Sequence, residues 1–140
     1  MIPEPLWREI VANVPIICVD VVIVRDGKAL LVLRGDPPAK GEWWLPGGRV
    51  LKNESLKEAA HRKALEEVGL DCHVGPAIYS VETRFMEEDV QSFNTVYLLW
   101  PKVGEEVKLD ATCKDFRWVE DKDEMNLDWY VRRSLWEAGF

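Results

Sequence analysis

Ile16 to Arg25 is dominated by β-branched side chains, Asp26-Gly27 follows, and Lys28 to Arg34 forms a second apolar run. An Asp-Gly pair between two such runs is a two-residue hairpin turn, because both central positions accept positive φ. The chain is therefore committed to a β-ribbon over residues 16–34. With 140 residues there is room for one core, which predicts a single domain, 1–140. Apolar residues at 47% supply that core and exclude a disordered polar chain.

Around the ribbon, Leu6, Trp7, Ile10, Val11 and Val14 recur at helical spacing after Pro5, which predicts a short leading helix ending before Pro15. Gly35 to Gly48 contains Pro37, Pro38 and Pro46 and four glycines, and reads as a constrained loop. Leu56, Ala60, Ala64 and Val68 then recur every four residues before Gly69. That spacing predicts an amphipathic helix from about Glu54 to Val68, started by Asn53. Strands are expected at 71–74, 77–83, 95–100 and 116–119, and a last helix from Asn126 as N-cap to Ala138. No internal repeat is present. Strands, a central helix, more strands and a terminal helix predict an α+β sandwich.

An excess of 25 acidic over 18 basic residues, net −7, argues against binding nucleic acid by broad counterion release. An anionic ligand must be held locally, by clustered arginines, a divalent cation or both. Cys18, Cys72 and Cys113 form no C-x-x-C pair, so neither a disulfide framework nor a zinc knuckle is expected, and a reducing cytoplasm fits. The first residues lack a basic stretch followed by an apolar run, and Val14 to Val24 is short and broken by Pro15 and Asp20. The expectation is a soluble, cytoplasmic protein with no membrane partner.

The central helix carries Glu66 and Glu67 where the helix dipole is already negative. A nearby cation would remove that cost. Intrahelical pairing is the alternative, since Arg62 to Glu66 and Lys63 to Glu67 are both four apart. Pro46-Gly47-Gly48 lets backbone carbonyls approach an ion that these carboxylates could share. Oxygen-only ligands favour Mg²⁺ or Mn²⁺, which would bridge the protein to a substrate's phosphates.

Gly48, Glu54, Arg62, Glu66, Glu67, Gly69 and Leu70 stand at the spacing G-x5-E-x7-R-E-U-x-E-E-x-G-U, with U a bulky aliphatic. This resembles the Nudix box, with Lys63 in place of a glutamate and Ala64 in place of the aliphatic residue. The resemblance implies a Nudix α/β/α sandwich with a central mixed sheet and a loop-helix-loop that binds divalent metal. It also implies hydrolysis of nucleoside diphosphates linked to another moiety. Carried over by position, Gly47 would offer its carbonyl to the metal, Glu66 and Glu67 would be carboxylate ligands, and Arg62 would orient a box glutamate through Glu54. Lys63 as a cation can neither bind metal nor deprotonate water, which leaves the number of metals and the base open.

Residues Pro37 to Val50 look like the corresponding loop of the GDP-mannose mannosyl hydrolase branch, whose members attack the sugar carbon. Asp20, Arg34, Arg49 and Tyr97 fall where that branch's substrate residues occur. Asp20 interrupts an apolar strand and must find a partner or shift its pKa. Arg34 and Arg49 flank the loop and could fork onto phosphate oxygens, or stand as plain surface charges. The ring of Tyr97 is expected in the core, with its hydroxyl reaching the site.

That branch's histidine base before an aromatic-Arg-Trp segment is missing here, where Cys113 and Lys114 precede Phe116-Arg117-Trp118. His61 and His73 read as surface or packing residues, and Glu87-Glu88-Asp89 as a solvated run or a replacement ligand or base. The implied function is Mg²⁺-dependent hydrolysis of a small-molecule nucleotide conjugate, first a nucleotide sugar such as GDP-mannose. Two rivals are a nucleoside triphosphate pyrophosphatase and an inactive nucleotide-binding or sensing module. Trp43, Trp44 or Phe93 could stack on a base, and the leading helix, with Leu6, Trp7 and Ile10, offers a face for a homodimer.

Overall fold

The hairpin forms as its sequence dictates. In the computed structural model, which describes residues 1–140, β1 (Ile16–Arg25) and β2 (Lys28–Arg34) pair antiparallel, with Val24 opposite Ala29 and Arg25 opposite Lys28. Asp26 and Gly27 turn the chain at φ 53° and 75°. Helix α1 (Glu4–Asn13) precedes the hairpin. Within the expected loop, β3 (Trp43–Trp44) pairs with β2 and β4 (Gly47–Arg49) pairs with β1. These strands are too short to show a period, and only their partners' free edges define them.

Helix α2 spans Leu56–Val68, two residues short of the expected start at Glu54. Ser55, not Asn53, caps it. The Ser55 hydroxyl accepts from Glu58 N–H at 3.0 Å and Glu58 accepts from Ser55 N–H at 3.2 Å. This reciprocal box outcompetes Asn53, which sits at φ 68°, and leaves the Glu54 carboxylate free to point elsewhere. Gly69 closes the helix in the left-handed region at φ 69°.

The strands expected at 71–74 and 77–83 are one long strand, β5 (Cys72–Phe85), whose register against its neighbour shifts between Val74 and Tyr79. Pro76 lies in that irregular stretch, where a missing N–H can be tolerated. β6 (Val90–Pro101) and β7 (Cys113–Val119) begin earlier than the apolar runs at 95–100 and 116–119. Helix α3 (Trp129–Glu137) starts after the expected Asn126, because the Asp128 carboxylate accepts from Tyr130 N–H at 2.9 Å.

The sheet runs β3-β2-β1-β6-β5, with β4 added to β1 and β7 to β2. β1 and β6 pair parallel and all other pairs are antiparallel, so the sheet is mixed. Alternation along β1 then divides two cores. Val19, Val21 and Ile23 meet Ala59, Ala60, Ala64 and Val68 of α2, whose small side chains let the helix lie close to the sheet. Val22, with Ala29 and Leu31 of β2, meets Tyr130, Val131 and Leu135 of α3. The result is the α/β/α sandwich expected from the sequence. No helix is long and apolar enough to cross a membrane.

Candidate active site

The pairing of β4 with β1 sets Gly47 opposite Asp20, Gly48 opposite Val19 and Arg49 opposite Cys18. A Cβ on Gly47 would collide with Asp20 Oδ1 and the Val19 carbonyl oxygen, so the close approach requires glycine there. In return Gly47 N–H donates to Glu67 Oε1 at 2.9 Å, joining the loop to the last turn of α2. Thr112 Oγ1 lies 3.4 Å from Glu67 Oε2, and the Glu67 side chain is only 6% exposed.

Arg62 organises the first half of the motif. Its Nε donates to Glu54 Oε2 at 2.7 Å, and its Nη2 donates to Glu54 Oε1 at 2.9 Å and to the Arg49 carbonyl at 3.0 Å. Its Nη1 reaches both oxygens of Glu66 at 3.2 Å. Glu54 also accepts from Leu51 N–H at 3.0 Å, and the Arg62 guanidinium holds its carboxyl below the usual range. The intrahelical pairing of the helix charges is thus formed, and Glu67 in addition reaches the glycine loop.

On the other side of β4 a cleft of about 690 Å³ opens, within the usual range for small-molecule sites. Asp20, Arg34, Gly47, Gly48 and Arg49 line it, together with Trp7 and Arg8 of α1. Glu54, Arg62, Glu66 and Glu67 do not line it and meet it through Gly47-Gly48. The Arg34 side chain is fixed by its Nε bond to the Pro38 carbonyl at 2.7 Å, and the Arg49 guanidinium lies 5.0 Å from the Trp7 ring centroid.

Tyr97 departs from the expected substrate set. Its register opposite Val21 puts it on the face toward α2, where it is buried in the core and absent from the cleft. Among the aromatic residues considered for stacking, Trp44 lines the cleft, while Trp43 and Phe93 do not. His61 pairs with Asp71 at 3.0 Å and His73 lies exposed on β5, both away from the cleft. Glu88 and Asp89, in the turn between β5 and β6, reach the cleft wall.

Several cleft residues had not been singled out in the sequence. Thr83, Ser92 and Asn94 form a buried polar network: Thr83 and Ser92 hydroxyls lie 2.9 Å apart, and Asn94 Nδ2 donates to Thr83 Oγ1 at 2.9 Å. Tyr130 donates its hydroxyl to Asp20 Oδ2 at 2.5 Å. The available signal was the polar Ser92 and Asn94 set on one face of an otherwise apolar strand.

Burial drives the Asp20 carboxyl from 3.8 up to about 7; the Tyr130 bond opposes this and the Glu67 carboxylate adds to it. Burial raises Glu67 as well. Below about 3.8 Asp20 is protonated in both states, and between that value and about 7 the folded chain keeps a proton the unfolded chain has released. This contribution to stability is therefore complete at low pH and is lost as pH rises through about 7. In chelator, Asp20→Asn is expected to lose this dependence and to melt progressively higher relative to wild type from about pH 4 to about pH 7, the gap staying level above that. Parallel melting curves would contradict a buried, protonated Asp20.

Burial also pushes the Cys18 and Cys72 thiols up to about 12, so neither supplies a thiolate nucleophile near neutral pH.

The donors available to a metal are two carboxylates and the backbone of Gly47-Gly48; no three His, Cys, Asp or Glu side chains converge. Such a set is all-oxygen and suits a hard divalent ion completed by water and phosphate oxygens.

A glycine loop stitched to a helix-end carboxylate pair beside a cleft with two arginines coincides with a family match: the NUDIX domain pattern covers residues 15–135. The chain belongs to the Nudix family. It is 42% identical over 98 residues to the low-salt glycan biosynthesis protein Agl8 of Haloferax volcanii, a match covering 70% of this chain and 63% of that protein. The chain thus spans less than two thirds of that relative's length. It is 29% identical to the nucleoside triphosphatase NudI of Escherichia coli, covering 81% of this chain and 89% of that one. The MutT Nudix hydrolase of Burkholderia pseudomallei superposes with a TM-score of 0.78 at 26% identity, covering 89% of this chain and 98% of that one.

Proposed function

We propose that this chain hydrolyses a nucleoside diphosphate joined to a sugar, GDP-mannose being the first candidate, with Mg²⁺ or Mn²⁺. The observation that carries the reading is the two-ended cleft. Arg34 and Arg49 stand at the glycine loop, where a diphosphate would be neutralised, while Thr83, Ser92 and Asn94 offer hydroxyl and amide groups suited to a polyol. Trp44 and Phe85 supply apolar surface for a base. The likeness to a glycan biosynthesis protein of Haloferax volcanii supports a sugar conjugate.

In this reading Glu66, Glu67 and the Gly47 carbonyl hold the ion, which when bound would neutralise phosphate oxygens as a Lewis acid. Arg62 is a positioning residue, since one guanidinium fixes Glu54, Glu66 and the Arg49 carbonyl together. Asp20, kept largely protonated below about pH 7, can donate to a substrate hydroxyl or accept from one.

The retained Glu66-Glu67 pair and the likeness to a nucleoside triphosphatase favour a second reading, triphosphate pyrophosphohydrolysis. Anion-exchange analysis of products formed with Mg²⁺ from GDP-mannose, and separately from mixed nucleoside triphosphates, separates the two. GDP from the conjugate is the expected product of attack at the sugar carbon, and GMP that of attack at phosphorus. Monophosphates from the triphosphates alone would replace the first reading by the second.

A further inference from the structure

Two adjacent carboxylates at the negative end of a helix, one of them buried, require a compensating positive charge. The last turn of α2 contains no basic residue. The charge comes from one turn earlier, where, of the two, Arg62 holds Glu66 alone while Lys63 Nζ stands between them, 3.4 Å from Glu66 Oε2 and 3.6 Å from Glu67 Oε2. Its side chain is only 17% exposed.

The path of that side chain is built into the loop. A Cβ on Gly48 would lie 2.7 Å from Lys63 Cε and 3.1 Å from Nζ, so the end of the lysine side chain lies against β4 in space that glycine leaves open. An ammonium is a compact charge with three donors, and here it faces one oxygen from each carboxylate. We propose that the Lys63 ammonium takes the place of one divalent cation between Glu66 and Glu67, so that the protein holds only a single exchangeable ion.

This inference rests on the metal-dependent reading above and specifies its stoichiometry. With lysine at position 63, the charges of Glu66, Glu67, Lys63 and the paired Arg62 cancel; with glutamate there they would leave two negative charges and attract a further ion. A tethered charge also cannot be removed by a chelator, so the carboxylate pair stays neutralised in part at any metal concentration.

The test is Mn²⁺ titration of the intact, metal-free protein, followed by electron paramagnetic resonance and calorimetry without substrate. Wild type is expected to bind one Mn²⁺ per chain, Lys63→Glu to bind one more, and Lys63→Met to bind Mn²⁺ at least about tenfold more tightly than wild type. Two or more ions on wild type, or variants indistinguishable from it, would overturn the proposal.

A measurement on wild type alone guards against variants that do not fold. Reductive methylation read by mass spectrometry should leave Lys63 protected relative to the exposed lysines, both without Mn²⁺ and at saturation. Unmasking of Lys63 by Mn²⁺ would mean that the ion displaces the ammonium, contrary to the proposal. Because no substrate is involved, failure to turn over any nucleotide sugar would sink the substrate reading and leave the ion count standing.

Discussion

Glu67→Gln is expected to lower kcat by about a thousandfold or more while leaving the melting temperature near that of wild type. The substitution keeps the shape of the side chain and removes its charge. In the native protein one Glu67 oxygen accepts from Gly47 N–H and the other faces Lys63 and Thr112. A glutamine can keep one of these acceptor contacts but must present an amide NH₂ in place of the second oxygen, and it ligates a hard cation poorly. The fold tolerates it because burial already disfavours the charged form of Glu67, as its raised pKa shows. Steady-state kinetics beside a thermal melt checks both halves of the expectation. Near-normal turnover in a folded variant would remove Glu67 from the site.

Gly47→Ala is expected to be the most damaging substitution for stability, costing about 3 kcal/mol or more and lowering the melting temperature by on the order of 10 °C. The new methyl would meet the Val19 carbonyl and Asp20 Cα as well as Asp20 Oδ1. Backbone of β1, which lies between β2 and β6, cannot withdraw without opening two ladders. At neighbouring Gly48 the obstructing atoms are the far end of the Lys63 side chain, which can move, so Gly48→Ala should cost much less. Equal melting temperatures for the two alanine variants would mean that β4 does not lie as close to β1 as described.

Where structure is set by neighbours in sequence, it was legible. The Asp26-Gly27 turn, the four-residue spacing of Leu56, Ala60, Ala64 and Val68, and Gly69 beyond them each specify local backbone. The motif at Gly48, Glu54, Arg62, Glu66 and Glu67 is legible for the same reason, since one helix and its preceding loop bring these residues together. Helix starts were less so, because Asn53 competes with Ser55, and Asn126 with Asp128, and two capping hydrogen bonds decide the first case and one the second.

The far wall of the cleft was hidden for a different reason. Thr83 lies on β5 and Ser92 and Asn94 on β6, and their meeting depends on the register of those strands. Tyr130 reaches Asp20 from α3 across 110 positions of sequence. The side of the sheet that Tyr97 occupies follows from parallel pairing of β6 with β1, which periodicity within β6 cannot reveal. The short distances from Lys63 to Glu66 and Glu67 were foreseeable on a helix, whereas its passage over Gly48 was not.

Helix α1 contributes Glu4, Trp7, Arg8, Val11 and Ala12 to the cleft wall, yet none of its residues is buried. On this wall of the cleft, recognition is therefore separate from cohesion. Substitutions on the cleft-facing side of α1 can remodel what the protein accepts without touching either core, while changes on β1 or β4 alter both at once. The α1 wall of the cleft is the part of this molecule most open to change.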